Sequence, residues 1–254
     1  MQKEYIAIID SGIGGISVLK NLVTVLPNEN FIYVSDDKNA PYGNKSNRKL
    51  FSVFIDSFSF LLNYNLKCIV LACNTLSLTI KKQIEDFFSI KTYGVFPPVE
   101  KCQVNGKKTI LLSTLNTAVK YKDYKNLTVI GFYYLAEDIE TCNGHFEKID
   151  LDYHLKNSYI NTTFSQTKIP FGDLIIGCTH YNFIKNKIFA YFDHQEMVSG
   201  DVLTTNSIAK ELKSQKLFEN NYQNEILFLG ANAEKNYNIF NKVVKNASFY
   251  VKKL

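Results

Sequence analysis

The 254-residue sequence lacks the segments that mark secreted and membrane-embedded proteins. Residues 1–4 carry charges of both signs and lead directly into a short apolar run, which is not the pattern of a signal peptide. No uninterrupted apolar run approaches the roughly 18 to 20 residues that a membrane-spanning helix requires. We therefore expect a cytoplasmic protein without a membrane partner.

Cysteine is scarce, and none of the five cysteines is spaced as Cys-x-x-Cys. An odd number of thiols cannot all pair, so a disulfide framework is not expected, and a zinc knuckle would need the missing spacing. We predict reduced thiols and no metal site. Free cysteine is among the most buried residue types, and we interpret three of the five as core residues: Cys68, Cys102 and Cys142.

Blocks of charge of one sign are also missing. The formal net charge of +5 is small for this length, and the lysines are scattered singly or in pairs, without a basic segment that alternates with aromatic residues. A nucleic-acid partner is therefore not expected. The composition, 46% hydrophobic and 21% charged, is typical of a globular protein, and the length suffices for two domains.

Short apolar runs alternate with segments of helical period along most of the chain. The predicted strands are 5–9, 31–34, 68–72, 109–112, 127–132, 171–176 and 226–229, and the predicted helices lie around 19–26, 51–62, 76–88, 202–212 and 239–244. This alternation predicts parallel sheets covered by helices, with functional loops at the carboxyl ends of the strands. The pattern is ambiguous between about 135 and 167, where helices are expected without clear boundaries.

Two of the apolar runs end in the same way. One stops at Cys73-Asn74-Thr75 and the other at Gly177-Cys178-Thr179-His180. Cys73 lies 63 residues beyond the end of the first strand at Asp10, and Cys178 lies 64 residues beyond the matching position, Thr114. The repeat predicts an α/β protein of two similar open parallel-sheet domains that face each other across a cleft and are related by a pseudo-twofold axis. We assign residues 1–95 with 204–254 to the first domain and 96–203 to the second, with the active site in the cleft.

Two facing thiols indicate acid/base chemistry. A cysteine thiol has an ordinary pKa of about 8.5, so it can act as a thiolate base or as a proton donor. Thiols on opposite faces of a bound carbon acid could remove a proton from one face and supply one to the other without any cofactor. Each thiol needs a neighbouring proton carrier, and we assign Asp10 to Cys73 and His180 to Cys178.

The remaining polar groups near these positions suit a small charged substrate. Hydroxyl, amide and backbone N–H groups at loops and helix starts favour carboxylates. The predicted substrate-binding residues of this kind are Ser11, Asn74, Thr75, Thr117 and Thr179.

Four motifs in one order along the chain resemble those of glutamate racemase, within the wider aspartate/glutamate racemase superfamily. They are Asp-Ser-Gly-Ile-Gly-Gly at 10–15, Pro-Tyr-Gly at 41–43, Ala-Cys-Asn-Thr at 72–75 and Gly-Cys-Thr-His at 177–180. The resemblance implies an isomerase that converts L-glutamate to D-glutamate without a cofactor, using Cys73 and Cys178. D-glutamate would supply peptidoglycan synthesis, and therefore cell wall biogenesis and cell shape. The implied substrate contacts are Asp10, Ser11, Tyr42, Gly43, Asn74, Thr75, Thr179 and His180.

Other interpretations stay open at this point. Aspartate differs from glutamate by one methylene, so an aspartate racemase fits the same residues. Cys73, Cys178 and His180 could instead hold zinc in a metal-dependent hydrolase. A non-catalytic protein could bind a small anion at the glycine loop 12–15, although this loop matches neither nucleotide fingerprint. Whether the chain forms a homodimer is also left open.

Single residues have structural alternatives too. Asp10 could cap the following helix and Tyr42 could be an ordinary turn residue. His180 could be a satisfied histidine at the rim, which is how we interpret the other three histidines, His145, His154 and His194. The catalytic interpretation of Asp10, Cys73, Cys178 and His180 depends on their occurring together.

Overall fold

The computed structural model describes residues 3–40, 42–102, 108–160, 172–192, 196–214, 225–244 and 250–253, the last four and residue 44 by their backbone alone. In chain order, the strands are β1 (Tyr5–Asp10), β2 (Asn30–Ser35), β3 (Leu66–Leu71), β4 (Thr92–Gly94), β5 (Thr109–Thr114), β6 (Leu127–Phe132), β7 (Tyr159–Ile160), β8 (Asp173–Ile176), β9 (Glu196–Ser199), β10 (Glu225–Leu229) and β11 (Tyr250–Lys253).

The α-helices follow most of the strands. They are α1 (Ile16–Val25), α2 (Asn47–Phe58), α3 (Asn74–Thr79), α4 (Lys81–Phe88), α5 (Val99–Cys102), α6 (Leu115–Tyr121), α7 (Leu135–Thr141), α8 (Leu151–Lys156), α9 (Lys185–Tyr191), α10 (Gly200–Ser214) and α11 (Ala233–Val243). Short 3₁₀ helices lie at Asp37–Asn39, Tyr42–Asn44, Ser59–Asn63, Phe146–Lys148 and Thr179–Ile184. None of these described helices is both long and apolar enough to cross a membrane.

The chain divides into two compact units, residues 1–95 with 201–254 and residues 96–200. The first unit contains a six-stranded sheet in the order β11-β10-β2-β1-β3-β4, in which every pair is parallel. The second contains a five-stranded sheet in the order β7-β6-β5-β8-β9. All its pairs are parallel except β6 with the two-residue edge strand β7.

The two sheets repeat one strand order. Four strands of the first sheet run β2-β1-β3-β4, and the equivalent strands of the second run β6-β5-β8-β9. The predicted pair of similar open α/β sheets is therefore present, and the matched cysteine spacing has a structural basis. In each sheet, the strand that leads to the cysteine pairs with the first strand of its unit.

The middle residues of the central strands are apolar because helices cover both faces of a parallel sheet. Residues 6–9 of β1 are fully buried, as is Phe31 of β2. Helix α1 contributes Leu19 and Leu22 to the buried interior, one turn apart on the same face. Burial of this kind, at roughly 25 cal/mol per Å² of apolar surface, is the main force that holds each sheet under its helices.

The structure differs from the sequence prediction at two helices. The predicted helix 76–88 is two helices, α3 and α4, separated at Ile80, where φ is −127° and ψ is 10°. The predicted apolar face of 51–62 holds as far as Phe58, after which the chain continues as a 3₁₀ helix. Six residues, Phe51, Phe54, Ile55, Phe58, Leu61 and Leu62, would share one face of an α-helix over 51–62. The 3₁₀ helix has three residues per turn, so Leu61 is buried but Leu62 is 54% exposed, and the predicted placement of Leu62 on the buried face was wrong.

Polar residues follow the carboxyl ends of the central strands in both sheets. Asp10 is the last residue of β1, and Cys73 lies two residues beyond β3. In the second unit Thr114 is the last residue of β5, and Cys178 lies two residues beyond β8. Each unit thus places one cysteine at the sheet edge where open α/β folds bind ligands.

Candidate active site

Cys73 is held at the junction between β3 and α3. It is the N-cap residue of α3, and the Ser77 hydroxyl lies 3.1 Å from both the Leu71 and the Cys73 carbonyl oxygens. The Ser11 hydroxyl donates to the Cys73 sulfur at 3.7 Å. Strand end, helix start and the loop after β1 therefore converge on this thiol, which is 8% exposed.

Asp10 is fully buried at the start of the glycine loop. One of its carboxylate oxygens, Oδ2, accepts a hydrogen bond of 2.8 Å from the Gly15 backbone N–H. A Cβ at Gly15 would lie 2.8 Å from the Cβ of Asp10 and 2.9 Å from that of Ala72, closer than side chains tolerate. The glycine therefore allows the backbone to approach Asp10, and the buried Tyr33 hydroxyl fixes the same loop by donating to the Gly12 carbonyl at 2.7 Å.

Tyr42 turns its side chain inward. The residue is 1% exposed, and its hydroxyl donates to Asp36 Oδ2 at 2.7 Å. Burial, together with the neighbouring Asp36 carboxylate, raises the pKa of Tyr42 far above its ordinary value, so the phenol stays protonated. The neighbouring Gly43 is buried as well. Since the hydroxyl is used within the protein, residues 42 and 43 would meet a ligand through their backbone.

Cys178 has a different set of partners. It is the N-cap of the 3₁₀ helix Thr179–Ile184, and its sulfur lies 3.9 Å from His180 Nδ1. The other ring nitrogen, Nε2, is 2.8 Å from Glu140 Oε2 on α7. Cys178, His180 and Glu140 are 8%, 6% and 7% exposed, so the three groups form one buried chain of hydrogen bonds.

The buried chain favours a charged imidazole. Burial alone would lower the pKa of His180, but its hydrogen bonds to Cys178 and Glu140 and the negative charges of both raise that pKa well above its ordinary value. His180 is therefore held as an imidazolium between a sulfur and a carboxylate. A cation beside a cysteine stabilises the thiolate, which is the reactive form of the residue.

The other predicted site residues lie at the same strand ends. Asn74 and Thr75 open α3, and Thr179 opens the 3₁₀ helix after Cys178; all three are at most 6% exposed. Thr117 is 1% exposed on α6, where its hydroxyl accepts a bond of 3.5 Å from Thr114. Asn74, Thr75 and Thr179 are therefore close in the chain to a cysteine, and Thr117 is close to Thr114 at the end of β5.

The remaining histidines have separate partners. His145 Nδ1 lies 3.2 Å from Glu147 in an exposed pair, and the buried His154 lies 3.0 Å from Asp138. His194 lies outside the described residues. Within the described residues, no three His, Cys, Asp or Glu side chains form a group that could hold a metal ion.

The sequence is similar over nearly its whole length to curated enzymes, although no family model matches it. Glutamate racemase from Clostridium botulinum (strain Langeland) is 30% identical over 251 residues, covering 93% of this chain and 96% of that protein. Glutamate racemase 2 from Bacillus subtilis (strain 168) is 31% identical over 222 residues, covering 82% of this chain and 81% of that protein. The chain belongs to the glutamate racemase family.

The fold agrees with that of the glutamate racemase family. A solved structure of glutamate racemase from Francisella tularensis in complex with D-glutamate matches with a TM-score of 0.75 at 22% identity, covering 100% of this chain and 97% of that chain. At this identity the likeness shows a shared fold. The predicted family, the predicted α/β architecture and the predicted class of enzyme, an amino-acid racemase, are all confirmed.

Two functional candidates, Glu140 and Asp36, were not predicted from the sequence. Glu140 lies in the stretch that could not be assigned, beside two other acidic residues, Glu137 and Asp138, and nothing local marks it as the buried one. Asp36 was not predicted as a site residue either. The available signal was its place directly after the apolar run of β2, the strand that pairs with β1. In the structure Asp36 is buried, and carboxylates are seldom buried without partners.

Proposed function

We propose that this chain interconverts L- and D-glutamate by a two-base mechanism in which Cys73 and Cys178 act on opposite faces of the substrate Cα. Family membership supports the reaction. The observation that carries the mechanism is the repeated placement of a buried thiol two residues beyond equivalent strands, each beside a polar partner.

The proton balance of this reaction is simple. One cysteine, as a thiolate, takes the α-proton and becomes a thiol, which leaves a carbanion stabilised by the substrate carboxylate. The opposite cysteine, as a thiol, gives its proton to the other face of Cα and becomes a thiolate. No bond other than C–H and S–H changes, so the step requires no cofactor, and the two thiols must exchange protons with their surroundings before the next turnover.

The partners of each thiol have distinct roles in this proposal. The His180 imidazolium stabilises the Cys178 thiolate, and Glu140 keeps the imidazole charged and oriented. Asp10 serves the Cys73 side from the glycine loop, and Ser11 donates to the Cys73 sulfur. Removing any of these groups therefore weakens one half of the mechanism more than the other.

The substrate would be held by groups around the two thiols. Hydroxyl and amide groups of Ser11, Asn74, Thr75, Thr117 and Thr179 bind its carboxylates and ammonium, together with the backbone at Tyr42 and Gly43. The D-glutamate formed would supply peptidoglycan. A cytoplasmic location stays a prediction, and whether the chain forms a homodimer stays open until sedimentation of the purified chain measures its state of assembly.

The test follows the Cα proton by NMR in heavy water, with L-glutamate, D-glutamate and each aspartate enantiomer, without added cofactor and with a chelator present. We expect exchange and racemisation of both glutamate enantiomers, with racemisation lost in Cys73→Ser and Cys178→Ser. Cys142→Ser is the matched control, because Cys142 Sγ donates to the Ile139 carbonyl at 3.2 Å and a serine hydroxyl can do the same. Activity that needs metal, or that uses aspartate but not glutamate, would contradict the proposal.

A further inference from the structure

The loop that carries Tyr42 is organised around a single buried carboxylate. Asp36 is 7% exposed and accepts hydrogen bonds from three side chains. The Tyr42 and Ser57 hydroxyls donate to its Oδ2 at 2.7 and 2.8 Å, and the Asn39 amide nitrogen lies 2.9 Å from both of its oxygens. The Asn39 backbone N–H also donates to Oδ1 at 3.3 Å, so both oxygens have donors from the same loop or from α2.

These contacts join the loop to the framework. Ser57 belongs to α2, which packs in the same apolar core as Tyr42 and Cys73. Asp36 directly follows β2, and its backbone N–H donates to the Asp10 carbonyl at 3.3 Å. A carboxylate fixed to a strand end and to a helix thus holds the Tyr42 hydroxyl, and with it the backbone of residues 42 and 43.

We propose that Asp36 is a positioning residue for substrate binding. By holding the Tyr42 hydroxyl, it fixes the position in which the backbone of Tyr42 and Gly43 binds the substrate. This rests on the proposed function. Asp36 touches no reacting atom, so it contributes to binding in the ground state and the transition state alike. Loss of such a contact raises KM and leaves kcat nearly unchanged.

The neighbouring residue provides a matched control. Asp37 is also a carboxylate in this loop, but its Oδ2 lies 2.8 Å from Lys235 Nζ and its Oδ1 accepts from the Ser35 hydroxyl at 2.8 Å. Asp37→Asn removes the same charge one residue away. We expect its KM for glutamate to stay within about twofold of the wild-type value, because a partly exposed ion pair contributes little.

The experiment is a double-variant cycle on KM and kcat for glutamate. Asp36→Asn and Tyr42→Phe should each raise KM about tenfold with kcat changed less than about threefold, as expected for loss of a hydrogen bond to a charged group. The double variant should raise KM no further than the larger single change, since Asp36 acts through Tyr42. Ser57→Ala, which removes a different donor from the same oxygen, should raise KM by a smaller factor.

The outcomes separate the two proposals. If the wild-type chain is active and the two KM effects multiply in the double variant, or if Asp36→Asn only lowers the melting temperature with KM unchanged, the positioning role is overturned and the racemase remains. A wild-type chain that neither turns over nor binds glutamate overturns both. Equal KM increases in Asp37→Asn and Asp36→Asn would show a general charge effect and would also overturn the positioning role.

Discussion

The two units place their cysteines in the same way but surround them with different side chains. Both put a cysteine two residues beyond a strand that pairs with the first strand of the unit. Around Cys73 the partners are the Ser11 hydroxyl and a loop organised by the Asp10 carboxylate. Around Cys178 they are the His180 imidazole and, behind it, the Glu140 carboxylate.

This difference separates what topology determines from what side chains determine. A repeated strand order brings the thiols to equivalent positions, whatever surrounds them. The groups near each thiol depend on individual residues: the first unit has the Ser11 hydroxyl and the buried Asp10 carboxylate of the same loop, and the second has the His180 imidazole backed by Glu140. The two halves of the proposed mechanism should therefore fail separately and respond differently to pH.

The largest expected effect comes from removing the proton carrier of one half of the proposed mechanism at a time. Asp10→Asn and His180→Asn should each reduce racemisation by about 10²- to 10⁴-fold, the usual contribution of a general acid or base. Both directions must fall equally, because the equilibrium constant between enantiomers is one. Proton exchange without racemisation should persist, however, for the enantiomer whose proton the intact half removes.

The measurement is loss of the Cα proton signal in heavy water, started from each enantiomer separately. The two variants should retain exchange on opposite enantiomers, so each serves as the control for the other. Retention on the same enantiomer in both variants would show that the residues are not divided between the halves as proposed.

A smaller effect on the rate of racemisation is expected for substitution of Glu140, which acts only on the Cys178 half of the proposed mechanism. Glu140→Gln removes the carboxylate that helps to raise the pKa of His180, so this pKa should fall. The imidazolium is then lost at lower pH, so the alkaline limb of the rate profile should move to lower pH. Near neutrality we expect the rate to fall about tenfold, which corresponds to about 1.4 kcal/mol. The change should appear in exchange started by the Cys178 half and not in exchange started by the Cys73 half.

Stability provides a second measurement on the same variant. Because the folded pKa of His180 lies above the unfolded value of about 6.5, its stabilising effect is complete below that value and is lost as pH rises through the folded pKa. The difference in melting temperature between wild type and Glu140→Gln should therefore be largest in mild acid. A difference that grows with rising pH would contradict the assigned direction.

The smallest expected effect concerns Ser11. Ser11→Ala removes a hydroxyl that donates to the Cys73 sulfur across 3.7 Å, a weak bond of about 1 kcal/mol, so racemisation should fall about fivefold. Primary isotope effects measured with α-deuterated substrates should change mainly for the enantiomer deprotonated by Cys73. Equal changes for both enantiomers would indicate a general loss of substrate binding instead.

Features repeated along the chain were predictable, and features made by contact between distant segments were not. The strand ends at Asp10 and Cys73 follow from apolar runs that stop at polar residues, and the second half repeats them. Glu140 meets His180 across 40 residues, and only the packing of α7 decides which acidic residue is buried. The break at Ile80 was missed because periodicity does not register a single residue outside helical geometry.

The shielding of the two proposed catalytic thiols has a consequence for chemical modification. Both are 8% exposed, whereas Cys142 is half-buried and so more open to a bulky reagent. Burial raises the pKa of Cys142, however, so little of its thiolate is present at neutral pH. A bulky alkylating reagent would therefore be a poor inhibitor of this protein. If Cys73 and Cys178 act as proposed, a small electrophile shaped like an amino acid should inactivate the protein faster than a bulky reagent does.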